Sequence, residues 1–271
     1  MDELILFLIP LLFSIHQILV RRGGEEIDTL SGTYLSLLTS TILFSPSLLF
    51  ANVDPKFLTL MLAAGFFHFF VARLCFYHAI ERIGANLSAP LSATRVYFAA
   101  ILTYLIGEEV TPKIIFMSIL IFLGVALLSR PKGVKIDAIG IFLGLATGFF
   151  SALSSLFVRM GMLESYNPYF GTFVGFAFST LLLTPFVIKK NISMRGGRFF
   201  IIASIFVGFG QFIRYVGLYK FQVAVVEPIV SIYPLFTIVF SYMFLRSREI
   251  FGKEVVLGAF LVILGINIYF F

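Results

Sequence analysis

Four charged side chains lie inside long apolar runs of this chain: Arg73, Arg95, Arg214 and Glu227. A charge inside a membrane-spanning helix costs roughly 2.5–3.5 kcal/mol on insertion scales, so each one needs a function or a partner. A guanidinium is planar and suits bidentate contacts with carboxylate or phosphate. The arginines therefore predict either an electropositive cavity for an anionic substrate, or a structural network with Glu227, tyrosines or helix-end carbonyls.

Glu227 stands in an apolar run that contains two prolines, Pro228 and Pro234. Each proline removes a backbone hydrogen bond, and discontinuous helices of this kind line binding sites in transporters. We expect Glu227 to be either a proton-coupling carboxylate or the partner that neutralises an arginine.

Uncharged polar side chains in other apolar runs could complete a substrate site. They are His16, Gln17, His68, Gln211, Tyr97, Tyr215 and Tyr233. Gln211 lies three residues before Arg214, which places both on one helix face. Ordinary packing stays open for each histidine and tyrosine. His78 and Glu81 are a lone pair without further ligands, so we predict no metal site and no cofactor.

The composition predicts a membrane protein. Of the 271 residues, 59% are hydrophobic and 13% are charged, and the mean hydropathy is +1.02. Soluble domains carry about 25% charged residues, whereas a protein in lipid can keep an apolar surface. The net charge of +6 does not indicate a nucleic-acid partner, because the basic residues lie in short loops. The one cysteine, Cys75, excludes an internal disulfide.

Crossing the hydrocarbon core takes about 20 apolar residues. That length predicts ten spans, near residues 4–20, 31–50, 57–80, 86–106, 113–129, 138–160, 168–188, 199–219, 222–245 and 254–271. Loops after the odd-numbered spans hold thirteen Lys and Arg residues, against four on the opposite side. Because positive loops face the cytoplasm, we expect a multi-pass plasma-membrane protein with both termini extracytoplasmic.

The chain divides near its middle, at residues 130–135, into two five-span halves, 1–130 and 131–271. Arg73 lies 35 residues before Glu108, and Arg214 lies 35 residues before Glu249. Because five is odd, the second half must enter the membrane from the opposite side. The predicted fold is therefore an all-α integral membrane protein with ten transmembrane helices in two inverted five-helix repeats.

Corresponding motifs recur in the two halves. The first half carries AIERIGANLSAPLS (79–92) and GEEVTP (107–112), and the second carries VAVVEPIVSIYPLFT (223–237) and RE (248–249). Over its whole length the chain resembles the EamA family of the drug/metabolite transporter superfamily. The resemblance implies ten spans in two repeats and a substrate site between the first, third, fourth, sixth, eighth and ninth spans. The first half has Arg95 where the family commonly has proline, which indicates a particular substrate.

The predicted function is secondary transport of a small metabolite by alternating access, with export of amino acids or organic anions typical of the family. The arginines favour an anionic substrate. Alternatives are a flippase for a lipid-linked phosphate and, from another class, an intramembrane enzyme or a non-transporting scaffold. The sequence has no HExxH, GxxxxGK or GxSxG motif, so we do not expect an enzyme. The expected partners are the metabolite and membrane lipid, and the chain is a monomer or a homodimer.

The sixth predicted span has a face of small residues. Gly140, Gly144, Gly148 and Ala152 recur at four-residue spacing. Small residues let helices approach closely, so this face predicts close helix packing, with a sliding surface for conformational exchange as the alternative.

Overall fold

The computed structural model describes residues 5–51, 53–104, 107, 111–128, 137–244 and 252–270, and every regular element in these ranges is a helix. The first half contains α1 (Leu8–Gly23), α2 (Thr29–Phe44), α3 (Pro55–Gly65), α4 (Arg73–Ala93), α5 (Arg95–Tyr104) and α6 (Pro112–Leu128). The second half contains α7 (Ala138–Glu164), α8 (Pro168–Val187), α9 (Met194–Lys220), α10 (Val223–Val230), α11 (Tyr233–Phe244) and α12 (Lys253–Phe270). A 3₁₀ segment, Ser45–Phe50, follows α2, and a π-helical segment, Phe66–Ala72, joins α3 to α4.

Acidic and amide side chains start several of these helices by capping the free backbone N–H groups of the first turn. Asp28 accepts from Ser31 N at 3.2 Å at the start of α2. Asp54 accepts from Phe57 N at 2.7 Å at the start of α3. Caps of the same kind begin α7 and α8, so the loops that separate the apolar runs also define where the helices begin.

Five helical runs among the described residues are long and apolar enough to cross a membrane by length and composition. They are Thr29–Phe50, Pro55–Tyr104, Ala138–Glu164, Pro168–Val187 and Met194–Lys220. Helices α5, α10 and α11 have 10, 8 and 12 residues. Each of these three is shorter than the roughly 20 residues that a full crossing takes, because two of the predicted spans are interrupted.

The interruptions lie at defined residues. Gly84 has a φ of 77°, a left-handed conformation that glycine adopts without strain, and it separates the third predicted span from the fourth. The fourth predicted span, 86–106, is not one continuous helix, because it breaks at Thr94, four residues after Pro90. The ninth predicted span, 222–245, breaks at residues 231–232, between Pro228 and Pro234.

Helices from the two halves pack directly on each other. Helix α1 packs on α9, α4 on α7, α2 on α8, and α6 on α12. The prediction of close packing by the small-residue face of α7 is confirmed, because a Cβ at Gly144 would lie 2.7 Å from Leu91 Cβ. A Cβ at Gly148 would lie 3.1 Å from the backbone nitrogen of Arg95. This close contact holds α7 against the break between α4 and α5, where the charged residues converge.

Candidate functional site

A cavity of about 50 Å³ lies between the two halves, near the helix breaks. Its lining comes from α1, the π-helical segment, α4, α5, α7, α9 and α11. The lining residues are Phe13, His16, Gln17, His68, Ala72, Arg73, Phe76, Tyr77, Ser92, Arg95, Thr147, Ser151, Val207, Gln211 and Tyr233. A water molecule needs roughly 10–15 Å³ of such space, so the cavity holds only a few waters in this conformation.

Arg214 and Glu227 form a fully buried ion pair beside this cavity. Arg214 donates to Glu227 Oε1 from Nε at 3.0 Å and from a terminal nitrogen at 2.8 Å. Ser155 donates to the same oxygen at 2.8 Å and also contacts the guanidinium. Gln211 accepts from Arg214 at 3.2 Å, and its amide nitrogen lies 2.6 Å from His68 Nε2. Helices α7, α9 and α10 are joined at this centre.

Arg95 is held less tightly than Arg214. One of its terminal nitrogens lies 3.8 Å from Glu227 Oε2, beyond hydrogen-bond distance. That nitrogen and Glu227 Oε2 are both buried, and neither has a hydrogen-bond partner among the described residues. The guanidinium carbon lies 5.8 Å from the centre of the Tyr233 ring, at cation–π distance. Unsatisfied buried polar atoms are costly, so this pair of atoms is suited to receiving a ligand or a water.

Arg73 contacts polar and aromatic groups. It donates to Ser36 Oγ at 3.2 Å and lies over the rings of Phe69 and Phe176 at 5.5 and 5.2 Å. Tyr77 also donates to Ser36, and its hydroxyl lies 2.7 Å from His16 Nε2. Among the described residues no carboxylate lies within ion-pair distance of Arg73.

The charges around the cavity do not balance. Arg73, Arg95 and Arg214 are 6%, 5% and 0% exposed, and Glu227 is the one carboxylate that is buried in the described part of the chain. Three buried guanidiniums therefore face a single buried acid. The described part of this buried centre therefore contains more basic than acidic side chains.

The structure brings most of the sequence-predicted site residues together. Seven line the cavity: His16, Gln17, His68, Arg73, Arg95, Gln211 and Tyr233. Arg214 and Glu227 lie fully buried behind this lining. Arg214 contacts the lining through Gln211, and Glu227 lies 3.8 Å from Arg95. Two roles were predicted for Glu227, a proton-coupling carboxylate and the neutralising partner of an arginine. Its ion pair with Arg214 matches the second role.

Two predicted site residues lie elsewhere. Tyr97 is 40% exposed and packs edge-on against Phe98, because the break at Thr94 turns this face of α5 outward. Tyr215 is fully buried but is absent from the cavity lining, since it is directed at Gly175 of α8. Neither tyrosine is in a position to stack against a substrate in the cavity.

Several lining residues were missed by the sequence analysis. Tyr77 lies four residues after Arg73 on the same helix face, and this spacing was the signal that could have found it. Ser92 contacts the Tyr233 hydroxyl, which also donates to Ala89 O at 2.7 Å. Thr147 donates to Ala72 O across the two halves, at 3.4 Å. Small hydroxyl residues in apolar helices are too common to single these positions out.

Ion pairs at the helix ends also join the halves. Arg82 contacts Asp137 at 2.9 Å, and Lys190 contacts Asp28 at 2.8 Å. The Gly140 N–H and the Arg82 guanidinium lower the pKa of Asp137. Partial burial alone would raise the pKa of Asp28, but hydrogen bonds from Lys190 and from its own helix lower it. The sequence analysis assigns the segments that contain these four residues to the cytoplasmic side.

The comparison with protein families agrees with this architecture. The model of the EamA-like transporter family matches residues 2–130 and 138–271. The chain belongs to this family. It is therefore a multi-pass membrane protein and a transporter of the drug/metabolite transporter superfamily, whose members are transporters and not enzymes.

A solved structure supports the fold of this EamA-like chain. It is described only as "Crystal structure of protein" and is 14% identical, with a TM-score of 0.73. The match covers 98% of this chain and 96% of the other. At this identity the likeness concerns the fold alone. The comparison with curated proteins finds no match.

Proposed function

We propose that this EamA-like chain is a secondary transporter that moves a small anionic metabolite by alternating access. The observation that carries the proposal is the charge imbalance around the cavity, where Arg73, Arg95 and Arg214 are buried and Glu227 is the one buried carboxylate among the described residues. A substrate carboxylate or phosphate would neutralise the excess positive charge and could pair with a guanidinium in a bidentate manner. Amino acids and organic anions carry such groups.

Arg73 and Arg95 are the residues that we assign to the substrate. Among the described residues, the hydrogen-bond and cation–π partners of Arg73 are the neutral Ser36 hydroxyl and the rings of Phe69 and Phe176. One terminal nitrogen of Arg95 has no hydrogen-bond partner in the part of the chain that the structure describes. All three nitrogens of the Arg214 guanidinium already donate hydrogen bonds, to Glu227, Gln211 and Ser155. We therefore assign Arg214 the role of holding Glu227 in place.

The cavity volume supports a mechanism that includes opening. Pockets that bind drug-sized ligands measure roughly 300–1,000 Å³, whereas this cavity measures about 50 Å³. A metabolite would enter only after the halves separate on one side. The breaks at Thr94 and at residues 231–232 provide points where α4–α5 and α10–α11 could bend.

Two inverted repeats, residues 1–130 and 131–271, are the framework that we propose for this motion. The helix contacts support an internal pseudo-symmetry, because contacts of one half with the other have counterparts in which the two halves are exchanged. Helix α1 packs on α9 as α7 packs on α3, and α2 packs on α9 as α8 packs on α3. Each half would contribute five spans, with α4–α5 and α10–α11 each supplying a broken span and the termini on the extracytoplasmic side. Export across the plasma membrane is the direction that we propose.

Binding of anions to the purified protein tests this proposal. The thermal unfolding midpoint would be measured with a panel of carboxylate, phosphate, zwitterionic and cationic metabolites, using wild type, Arg73→Met and Arg95→Met. A ligand at about 100 times its Kd stabilises the native state by about 2.7 kcal/mol. We expect anions to stabilise wild type and to lose this effect in both variants.

Arg73→Met also separates a substrate-binding role from a structural one. Because Arg73 is buried without a carboxylate partner in the described residues, replacing it by an apolar side chain of similar length should leave stability unchanged or raise it. Tyr97→Phe, on the outside of α5, is the control and should respond to anions as wild type does. Equal responses of wild type and both methionine variants would refute the anion site, and counterflow in proteoliposomes would then test other substrate classes.

A further inference from the structure

A second cavity, distinct from the charged one, opens on the outside of the helix bundle. It has a volume of about 430 Å³ and lies between α1, α9 and α11. Its lining is Ile15, Ile18, Leu19, Arg22, Phe199, Phe240 and Phe244. Six of these seven side chains are apolar, so the groove offers aliphatic and aromatic contacts along its length and a single charge at one end.

Two arginines stand at that charged end. The guanidinium carbons of Arg22 and Arg198 lie 5.5 and 5.0 Å from the centre of the same Phe199 ring. Both arginines are exposed, and neither forms an ion pair with a carboxylate in the described ranges. Arg22 is in the last turn of α1, and Arg198 is in the first turns of α9. The groove therefore begins at the level where helices leave the hydrocarbon.

The dimensions fit the upper part of a lipid. From Ile15 to Arg22 the helix rises by roughly 10 Å at about 1.5 Å per residue, which is about a third of the hydrocarbon thickness of about 30 Å. An acyl chain would lie against the apolar lining while the head group stays at the arginines. Basic pockets between transmembrane helices bind anionic lipid head groups in this manner.

We propose that this groove binds one phospholipid with a net anionic head group, with the phosphate at Arg22 and Arg198 and an acyl chain against Ile15, Ile18 and Phe240. The site is independent of the proposed substrate. Because α1 and α11 also line the charged cavity, the bound lipid would rest against two helices that must move during transport.

The absence of tryptophan from the sequence makes a direct test possible. Phe240→Trp places a single tryptophan in the groove, and lipids with brominated acyl chains quench a tryptophan that they contact. Brominated phosphatidylglycerol and brominated phosphatidylcholine would be titrated separately into vesicles of unlabelled phosphatidylcholine. An interfacial arginine contributes about 1 kcal/mol with an anionic lipid, so the two arginines together should make phosphatidylglycerol bind about thirtyfold more tightly than phosphatidylcholine.

Charge variants on this background identify the head-group contacts. Arg22→Gln and Arg198→Gln should each reduce the preference for phosphatidylglycerol about fivefold, and together they should abolish it. Lys189→Gln removes one exposed positive charge in the neighbouring loop and should keep the full preference. All three side chains are exposed, so unchanged unfolding midpoints are the control for folding.

The proposal is overturned if the two lipids quench equally in the Phe240→Trp protein, or if the preference persists in the double arginine variant. It is also overturned if neither lipid quenches, because no acyl chain would then lie against position 240. Ile15→Phe, which narrows the groove without changing charge, should weaken quenching by both lipids. Unchanged quenching in that variant would place the acyl chain elsewhere.

Discussion

Glu227→Gln is the substitution that tests the charge balance of the buried centre most directly. Glutamine keeps the shape of the side chain and can still accept a hydrogen bond from Arg214 or Ser155. It removes the one negative charge that is buried among the described residues. The three arginines then remain with no opposing charge in that part of the chain.

The expected loss of stability follows from the contacts of Glu227. Its Oε1 accepts from two nitrogens of Arg214, at 3.0 and 2.8 Å, and both residues are 0% exposed. Breaking a buried pair by removing one partner costs about 3–5 kcal/mol, because the remaining charge stays buried. Arg95 at 3.8 Å adds to this loss, since charges about 4 Å apart still attract by about 4 kcal/mol at an effective dielectric constant near 20.

The assay is thermal unfolding of the purified protein in a neutral detergent. The unfolding midpoint of a chain of this size falls by about 2–4 °C for each kcal/mol of stability that is lost. We therefore expect the midpoint to fall by about 10 °C. Ser155→Ala is the matched control, because it removes a neutral hydroxyl from the same centre and should cost only about 1 kcal/mol. Inorganic phosphate should raise the midpoint of Glu227→Gln more than that of wild type, because it supplies the missing negative charge.

Equal unfolding midpoints for Glu227→Gln and Ser155→Ala would refute this reasoning. That result would mean that the arginines are not held by the charge of Glu227, and the argument for an excess of positive charge would lose its basis. A large loss in Glu227→Gln without any response to phosphate would keep the ion pair but contradict the anion site.

The remaining predictions concern helix packing and a loop ion pair. Gly148→Leu should destabilise the protein by about 1–3 kcal/mol, because a Cβ there would lie 2.6 Å from Thr94 Oγ1. Gly107→Ala is the comparison for backbone conformation, because no atom of the described residues lies within 4 Å of a Cβ there and its φ is +82°. Asp28→Ala should cost about 1 kcal/mol by removing the cap of α2, whereas Asp28→Asn keeps a capping oxygen and should cost less. Because the folded state lowers the pKa of Asp28, its contribution is present at neutral pH and is lost as the pH falls below the ordinary aspartate range. Unfolding midpoints measured across this pH range check the pH dependence of the Asp28 contribution. Asp28→Asn is the reference, because asparagine does not titrate.

The buried arginines could be found from the sequence, because a charge inside an apolar run is rare and is visible in any local window. The helical class could also be found from the sequence. So could the break in the ninth predicted span, because Pro228 and Pro234 predict it. The break of the fourth predicted span was missed. Pro90 is visible in the sequence, but the helix continues past it and ends at Thr94, where α7 packs with its glycine face.

The sequence alone could not determine which residues would face each other. Hydropathy and helix spacing report on neighbours within a few turns, whereas the contacts at the site join residues far apart. Ser155 reaches Glu227 across 72 positions, and His68 reaches Gln211 across 143. The sequence analysis named both Tyr97 and Tyr233 as substrate-site residues, yet of the two only Tyr233 lines the cavity. Helix rotation at the breaks decided between them, and that rotation is set by packing between the two halves.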